Sequence, residues 1–424
     1  MNVYEAAMER ISYIFKEFDS VYVSFSGGKD SGLLLHMCAE YVRRNLPGRK
    51  LGIFHMDYEA QYQMTTDYVD STFHNLSDIS EPYRCCVPFK AQTSCSMFQP
   101  YWRPWDKKSK DIWVRDMPEN SYKEDDFKGM LKPGMWDYDF QEAFGGWYAQ
   151  RHSGRCACLV GIRTQESMNR WRTIYSDRHF KCYNGIKWST DNESGCVNFY
   201  PIYDFTTEDI WIANGKYGYP YNKLYDLYYM AGVPIDRMRV ASPFISEGNE
   251  TLKLYRVIEP NTWGKLISRV NGVNFTGIYG GTTAMGWRSI SKPDSMTWEQ
   301  YMYFLLDTLP DDTRRRYMSK LQTSITFWRD KGGCLSSETI IKLLERGVKI
   351  DVGSSSNYNT QKLPVRMDYI EEIDISEFKE IPTFKRMCVC ILKNDHFCKY
   401  MGFSQTKEEV ARRKNIMEKY KNLL

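Results

Sequence analysis

No stretch of about 18 or more uncharged apolar residues occurs in the chain, so no membrane-spanning helix and no membrane partner are expected. The first ten residues, 1–10, lack a basic start followed by an apolar block. No secretory leader is therefore expected, and a cytoplasmic location is. Charge of one sign is also missing: 57 Lys and Arg against 53 Asp and Glu leave +4. That is too little to announce a nucleic-acid binder, although a sum hides local patches. No internal repeat and no low-complexity tract interrupts the chain. With 42% hydrophobic and 26% charged residues, wholesale disorder is excluded. The 424 residues suit two to three domains of about 150 each. The 12 cysteines should be mostly reduced thiols in such a compartment, with metal binding the minority role. Aromatics are abundant: 12 Trp, 31 Tyr and 21 Phe. Many fall in polar segments, which points to site or surface roles beside the core.

Apolar side chains recur at helical spacing over residues 4–18 (Ala7, Met8, Ile11, Ile14, Phe15, Phe18). A buried strand is expected at 21–25, then a glycine-rich turn, then a helix carrying Leu33, Leu34, Met37, Cys38 and Tyr41. Further strands are expected at 51–57, 83–89, 156–162 and 198–203. Helices are expected at 59–74 and 204–217, the latter opened by the capping box Thr206 to Asp209. Alternating strands and helices predict an α/β fold with a doubly wound, mostly parallel sheet. Residues 90–150 form a long polar and aromatic insertion, too long for a structureless loop, and are expected to be a lid or a substrate-binding element. Beyond 232 the pattern shifts to longer helical segments, notably 296–309 and 311–330, with a polar, turn-rich stretch at 333–366. The expected domains are 1–232 and a mainly helical 233–424.

Between the first strand and its helix stands Ser24-Phe25-Ser26-Gly27-Gly28-Lys29-Asp30-Ser31. Glycines there let backbone N–H groups approach an anion, the helix dipole favours negative charge, Lys29 adds a cation, and the hydroxyls donate. The pattern is not the Walker loop, since the glycines are not four residues apart and no Gly-Lys-Ser/Thr follows.

This octapeptide resembles the PP-loop of the ATP pyrophosphatases, and the branch it is most similar to is the phosphoadenosine phosphosulfate (PAPS) reductase superfamily. Two further segments carry the resemblance: Gly161-Ile162-Arg163-Thr164-Gln165-Glu166-Ser167 with Arg170, and Tyr200-Pro201-Ile202-Tyr203-Asp204-Phe205 with Asp209, Trp211 and the later 219–225. Phe205 stands where that branch usually has Trp. Residues 56–62, 113–118 and 258–263 look like the immunoglobulin-binding regulator A-like subgroup, whose C-terminal region has no known function. The resemblance implies an adenine nucleotide hydrolase-like fold binding ATP, with attack at the α-phosphorus and release of pyrophosphate, as in an ATP pyrophosphatase or adenylyltransferase. A ParB-like protein partner and a regulatory role are implied by the subgroup.

Lys29, Asp30 and Arg163 are the expected catalytic residues. Ser24, Ser26, Gly27, Gly28, Lys29, Asp30, Ser31, Asp57, Gly161, Arg163 and Glu166 are the expected nucleotide ligands. Asp30 is the candidate ligand for Mg²⁺, an ion that usually keeps several waters. Asp57 ends the second strand, where α/β sheets bind ligands, and is read as a ribose or metal contact, or else as the N-cap of the next helix. Glu166 is expected to pair with Arg163 or Arg170. Two other readings stand beside this one. Reductive cleavage of PAPS would need a nucleophilic cysteine in a Glu-Cys-Gly-x-His setting, which is not found here. A regulatory nucleic-acid-binding module would use ATP only as a ligand.

Cys388, Cys390, His396 and Cys398 offer four soft ligands for Zn²⁺, although Cys-x-Cys spacing is less typical and 388–392 also suits a buried strand or helix start. Cys156, Cys158, Cys182 and Cys196 are a weaker four-thiol set. Residues 84–115 hold seven basic residues, Arg84, Lys90, Arg103, Lys107, Lys108, Lys110 and Arg115, against Asp106 and Asp111. Trp102, Trp105 and Trp113 interleave them. Such a stretch grips single-stranded nucleic acid or a base, or is a solvated lid with its indoles packed inward. Gly280-Gly281-Thr282-Thr283 is a weak second anion turn, Arg314 to Arg316 a surface run, and 407–421 a charged helix face.

Overall fold

In the computed structural model the described residues are 2–152, 154–175, 182–191, 194–240, 242–279, 290, 292–354 and 362–403. The turn at 280–283 and the helix at 407–421 lie outside them. The chain divides into two compact units, Met1–Gly280 and Gly281–Leu424, so the expected boundary at 232 falls inside the first unit.

The first unit opens with α1 (Val3–Glu17). Asn2 and Glu5 cap it reciprocally, and Ala7, Ile11, Ile14 and Phe15 form its buried stripe. Then follow β1 (Ser20–Ser24), α2 (Lys29–Asn45), β2 (Leu51–Met56), α3 (Gln63–Asn75) and β3 (Ser80–Cys85). The insertion contributes a small hairpin, β4 (Ala91–Gln92) with β5 (Tyr101–Trp102), and α4 (Asp137–Arg151). Next come β6 (Cys156–Val160), α5 (Met168–Tyr175), β7 (Ser189–Asp191), β8 (Cys196–Phe199), α6 (Thr207–Tyr217) and α7 (Leu224–Met230). Four helices close the unit: α8 (Asn249–Leu252), α9 (Tyr255–Ile258), α10 (Pro260–Arg269) and α11 (Val273–Tyr279).

Six strands form one sheet in the order β3-β2-β1-β6-β8-β7. All neighbours are parallel except β7 against β8. That short antiparallel edge strand was not expected, because three residues carry too little periodicity to read. The chain runs outward from β1 through β2 to β3, then returns to the other side of β1 as β6. This reversal is a topological switch point, and the crevice beyond the carboxyl ends of β1 and β6 is where such sheets take ligands.

The insertion is not a loose lid. Phe140, Phe144 and Tyr148 of α4 are buried, and Phe144 stacks on Phe54 of β2 at 4.2 Å. Burying each such ring contributes about 1.5–3 kcal/mol, which makes α4 the crossover helix covering one sheet face. Its rings belong to one core cluster, and α1, α2 and α3 cover the other face with a second.

The second unit holds α12 (Trp298–Asp307), α13 (Asp311–Thr326), β9 (Gly333–Leu335), α14 (Ser337–Glu345), β10 (Asp351–Val352), β11 (Leu363–Arg366) and α15 (Phe384–Leu392). The turn-rich stretch thus contains an antiparallel sheet, β10-β11-β9, packed with Ile340, Leu343, Met367 and Ile381. Among the described residues no helix is long and apolar enough to cross a membrane.

Candidate active site at the sheet switch point

The glycine-rich turn leaves β1 and enters α2 at the crevice. Gly27 adopts φ +77°, a left-handed backbone that suits glycine. Gly28 is the N-cap of α2 and has no side chain to satisfy the first amides. Within the turn, Ser31 Oγ accepts from the Ser26 N–H at 3.1 Å and lies 2.9 Å from Ser26 Oγ. The Gly28 N–H donates to Ser26 Oγ at 3.4 Å. Ser24 is the last residue of β1, in register with Phe54 and Val160. The segment after β6 presses against the same helix start: a Cβ on Gly161 would sit 3.0 Å from the Ser31 nitrogen. Only glycine lets the two crevice loops approach so closely.

The charged residues form one network. Lys29, 3% exposed, donates from Nζ to Asp30 Oδ2 at 3.1 Å and to the Met238 carbonyl at 3.3 Å. Arg163, 2% exposed, pairs through Nε with Asp30 Oδ1. It also donates to Gln165 Oε1 at 3.1 Å and reaches Glu166 at 3.9 Å. Glu166 pairs with Arg170. Arg239 donates to the Glu166 main-chain oxygen at 3.2 Å. Burial depresses the Lys29 ammonium from its ordinary value, with Asp30 opposing the shift. Burial raises the Asp30 carboxyl, but Lys29 and Arg163 outweigh it and hold it below the ordinary carboxylate value.

Ser26, Gly27, Gly28, Lys29, Asp30, Ser31, Gly161, Arg163 and Glu166 are thus brought together. Asp30 differs from its expected role. Its two oxygens are taken by Arg163 and Lys29, so as placed it is an ion-pair residue and does not fit a Mg²⁺ ligand. Asp57 also differs. It is 1% exposed, and both its oxygens accept from Arg115, while Oδ1 caps the Glu59 N–H at 2.9 Å. As placed, Asp57 is an ion-pair residue of Arg115, and the next helix starts only at Gln63. Tyr225 lies in the family-like stretch 219–225 but was given no role there, and Met238 and Arg239 were missed. The signal for those two was the Arg237 and Arg239 pair of cations beyond Pro234, which no periodicity distinguishes from surface charge.

The basic and aromatic stretch faces inward. Trp102 and Trp105 are buried, Trp113 packs edge-on to Trp105 at 5.2 Å, and Arg84 pairs with Asp70. Lys107, Lys108 and Lys110 remain exposed, whereas Trp102 and Trp105 are buried and Trp113 is half-buried. The cysteine set near the C-terminus is gathered only in part: Cys390 and Cys398 lie side by side, and Cys388 does not join them. Residues 388–392 are helical, so Cys388 and Cys390 point about 200° apart. Cys388 Sγ donates to the Trp298 carbonyl at 3.6 Å, and burial pushes that thiol up to about 12. Cys156 and Cys196 are register partners inside the sheet, beside Cys158. Among the described residues no group of three or more His, Cys, Asp or Glu side chains is arranged to hold a metal ion.

A family model described as phosphoadenosine phosphosulfate reductase domain matches residues 20–231. The chain belongs to that family. More particularly, a domain of unknown function (DUF3440) matches 232–412. An Escherichia coli (strain K12) relative described as the uncharacterized protein YbdN is 34% identical over 420 residues, covering 98% of this chain and 94% of that one. Among solved structures, a Candida auris PAPS reductase in a phosphate complex is similar at 14% identity, covering 52% of this chain and 84% of that chain, with TM-score 0.29. A Candida glabrata FMN adenylyltransferase with FAD and inorganic pyrophosphate is similar at 17% identity, covering 53% of this chain and 58% of that chain, with TM-score 0.31. Likeness at that level fixes neither substrate nor reaction.

Proposed function

We propose that this protein is an ATP-using PP-loop enzyme that transfers an adenylyl group to an acceptor and releases pyrophosphate. The observation that carries the reading is the charge of the switch-point cluster. Among the described residues, Lys29, Arg163, Arg170 and Arg239 meet the carboxylates of Asp30 and Glu166 alone, beside the amides that open α2. A partly buried excess of positive charge beside helix-start amides suits a polyphosphate. ATP, when bound, supplies an electrophilic α-phosphorus and a pyrophosphate leaving group.

The chain's own residues would do the rest. Lys29 and the amides of 26–31 hold the phosphates and oppose the charge that develops on the departing pyrophosphate. Ser26 and Ser31 keep the turn's shape. Asp30 holds Lys29 and Arg163 apart at fixed positions, so neither has to reorganise when the phosphates arrive. Glu166 fixes Arg170 in the same way. Mg²⁺ would enter with the nucleotide, since Asp30 is already committed to cations. Residues 1–232 are read as the nucleotide-binding domain and 233–424 as the second domain. The inward-facing indoles of 102–113 weigh against the nucleic-acid module.

Purified protein given ATP and Mg²⁺ should bind the nucleotide and release pyrophosphate, and K29A should abolish release. Sulfite release from PAPS with a thiol reductant, without ATP binding, would overturn the reading in favour of reductive cleavage.

A further inference from the structure

The loop's donors do not wait open. The Lys29 N–H donates to the Tyr225 hydroxyl at 3.0 Å, and Lys29 Nζ donates to the Met238 carbonyl at 3.3 Å. Both acceptors are neutral, and both come from segment 222–240. Asn222, fully buried, anchors the start of that segment by donating to the Gly27 carbonyl at 3.2 Å and to Thr65 Oγ1 at 3.0 Å. Arg239 lies at the far end, half-buried. Its acceptor is the neutral Glu166 carbonyl, whereas the Glu166 carboxylate pairs with Arg170 and reaches Arg163, and Asp30 serves Lys29 and Arg163. Among the described residues no carboxylate pairs with Arg239. After burial and the opposing pull of Asp30, its charge is among those that depress Lys29, and on Arg170 it is second only to burial. A guanidinium held among like charges with only a neutral acceptor is unfavourable until an anion arrives, and its planar fork matches a phosphate with two parallel hydrogen bonds.

We propose that Arg239 is a phosphate ligand of this site, carried by segment 222–240, and that the Tyr225 hydroxyl and Met238 carbonyl are placeholders which the β- and γ-phosphates displace. The proposal rests on the nucleotide reading above. It also gives a part to the domain of unknown function: the family boundary at 231/232 places Tyr225 on one side and Arg239 on the other. The second matched domain would therefore supply a side chain to the first one's site.

Titration calorimetry on the full chain with Mg²⁺-ATP and with AMP tests it. Arg239→Ala should weaken ATP about tenfold or more while changing AMP less than about twofold, since a lost charge-assisted phosphate contact falls on the terminal phosphates alone. Arg239→Lys should restore part of the loss and guards against a folding defect, which a thermal melt would also reveal. Tyr225→Phe removes a competitor and should tighten ATP by about threefold, a modest share of one hydrogen bond. Equal weakening of ATP and AMP by Arg239→Ala, or weaker ATP binding by Tyr225→Phe, overturns the proposal and leaves the nucleotide reading standing. A wild-type protein that binds neither ATP nor PAPS removes both.

Discussion

Two buried ionic clusters lie in the first unit, and their charge sums differ. One gathers Asp57 and Glu59 against Arg115 and Arg269. Glu59, fully buried, takes Arg269 through both oxygens at 2.8 and 3.0 Å and also accepts from the Trp105 and Val114 amides at 2.7 and 3.0 Å. Every charge there meets its opposite, two against two. The other gathers Lys29, Arg163, Arg170 and Arg239 against Asp30 and Glu166, four against two. A neutral, fully paired cluster is complete without a ligand and ties the insertion and α10 to the end of β2. A cluster with two cations in excess is complete only when an anion joins it. The balanced cluster is also the more deeply buried, since Arg170 and Arg239 of the other are only half-buried, and charge balance remains the difference with chemical consequence.

The largest effect that would break this comparison is on stability. Glu59→Ala strands Arg269 and two amides, and should lower unfolding stability by about 3–5 kcal/mol, read from urea denaturation. Loss of less than about 1 kcal/mol would show that the balanced cluster is no clamp.

Next in size is the converse change at the site. Lys29→Ala should leave stability within about 1 kcal/mol, because it removes one of the surplus cations, yet cut pyrophosphate release at least about 100-fold. Comparable destabilisation by Lys29→Ala and Glu59→Ala would erase the distinction between the clusters.

The acid response develops more gradually. Burial would raise both Asp30 and Asp57, but their cationic partners hold each below the ordinary carboxylate value. His36 and His55 behave oppositely. Burial lowers both to about 4, and the His55 Nδ1–H donates to the Phe25 carbonyl at 2.8 Å. The unfolded chain binds those protons from about pH 6.5 downward while the folded chain does not. Stability should therefore be full above pH 6.5 and fall by up to about 1.4 kcal/mol per histidine per pH unit between 6.5 and 4. Melting temperatures at pH 7, 6 and 5 read this, and His55→Gln should flatten the decline. A flat profile in the wild type would contradict neutral, buried histidines.

The smallest effect concerns the thiols. Cys388→Ala should cost about 1 kcal/mol through a small cavity and leave zinc content unchanged. Stoichiometric zinc in the wild type that disappears in this variant would restore the metal reading of 388–398.

How much of this was legible beforehand follows from the range of each interaction. The turn Ser26–Ser31, its strand and its helix are local, and their glycines, alternation and helical spacing place them within a few residues. The segment at Gly161 was legible as a partner of the turn through resemblance alone. The pairing of Asp57 with Arg115 was not legible because Arg115 is 58 residues away, and nothing in the stretch 84–115 shows which cation turns inward. Glu59 and Arg269, 210 residues apart, drew no notice as a pair. The C-terminal cysteines looked gathered because spacing alone does not say whether 388–390 is a strand or a helix.

The sequence by itself determined the alternation of strands and helices, the phosphate-type turn and the family, because these are set by local backbone preferences and short-range spacing. Only the tertiary structure decided which charges neutralise one another. Ion pairing depends on distances of a few ångströms between residues tens to hundreds of positions apart. The balanced cluster and the positively charged one therefore came to differ only once the chain had folded.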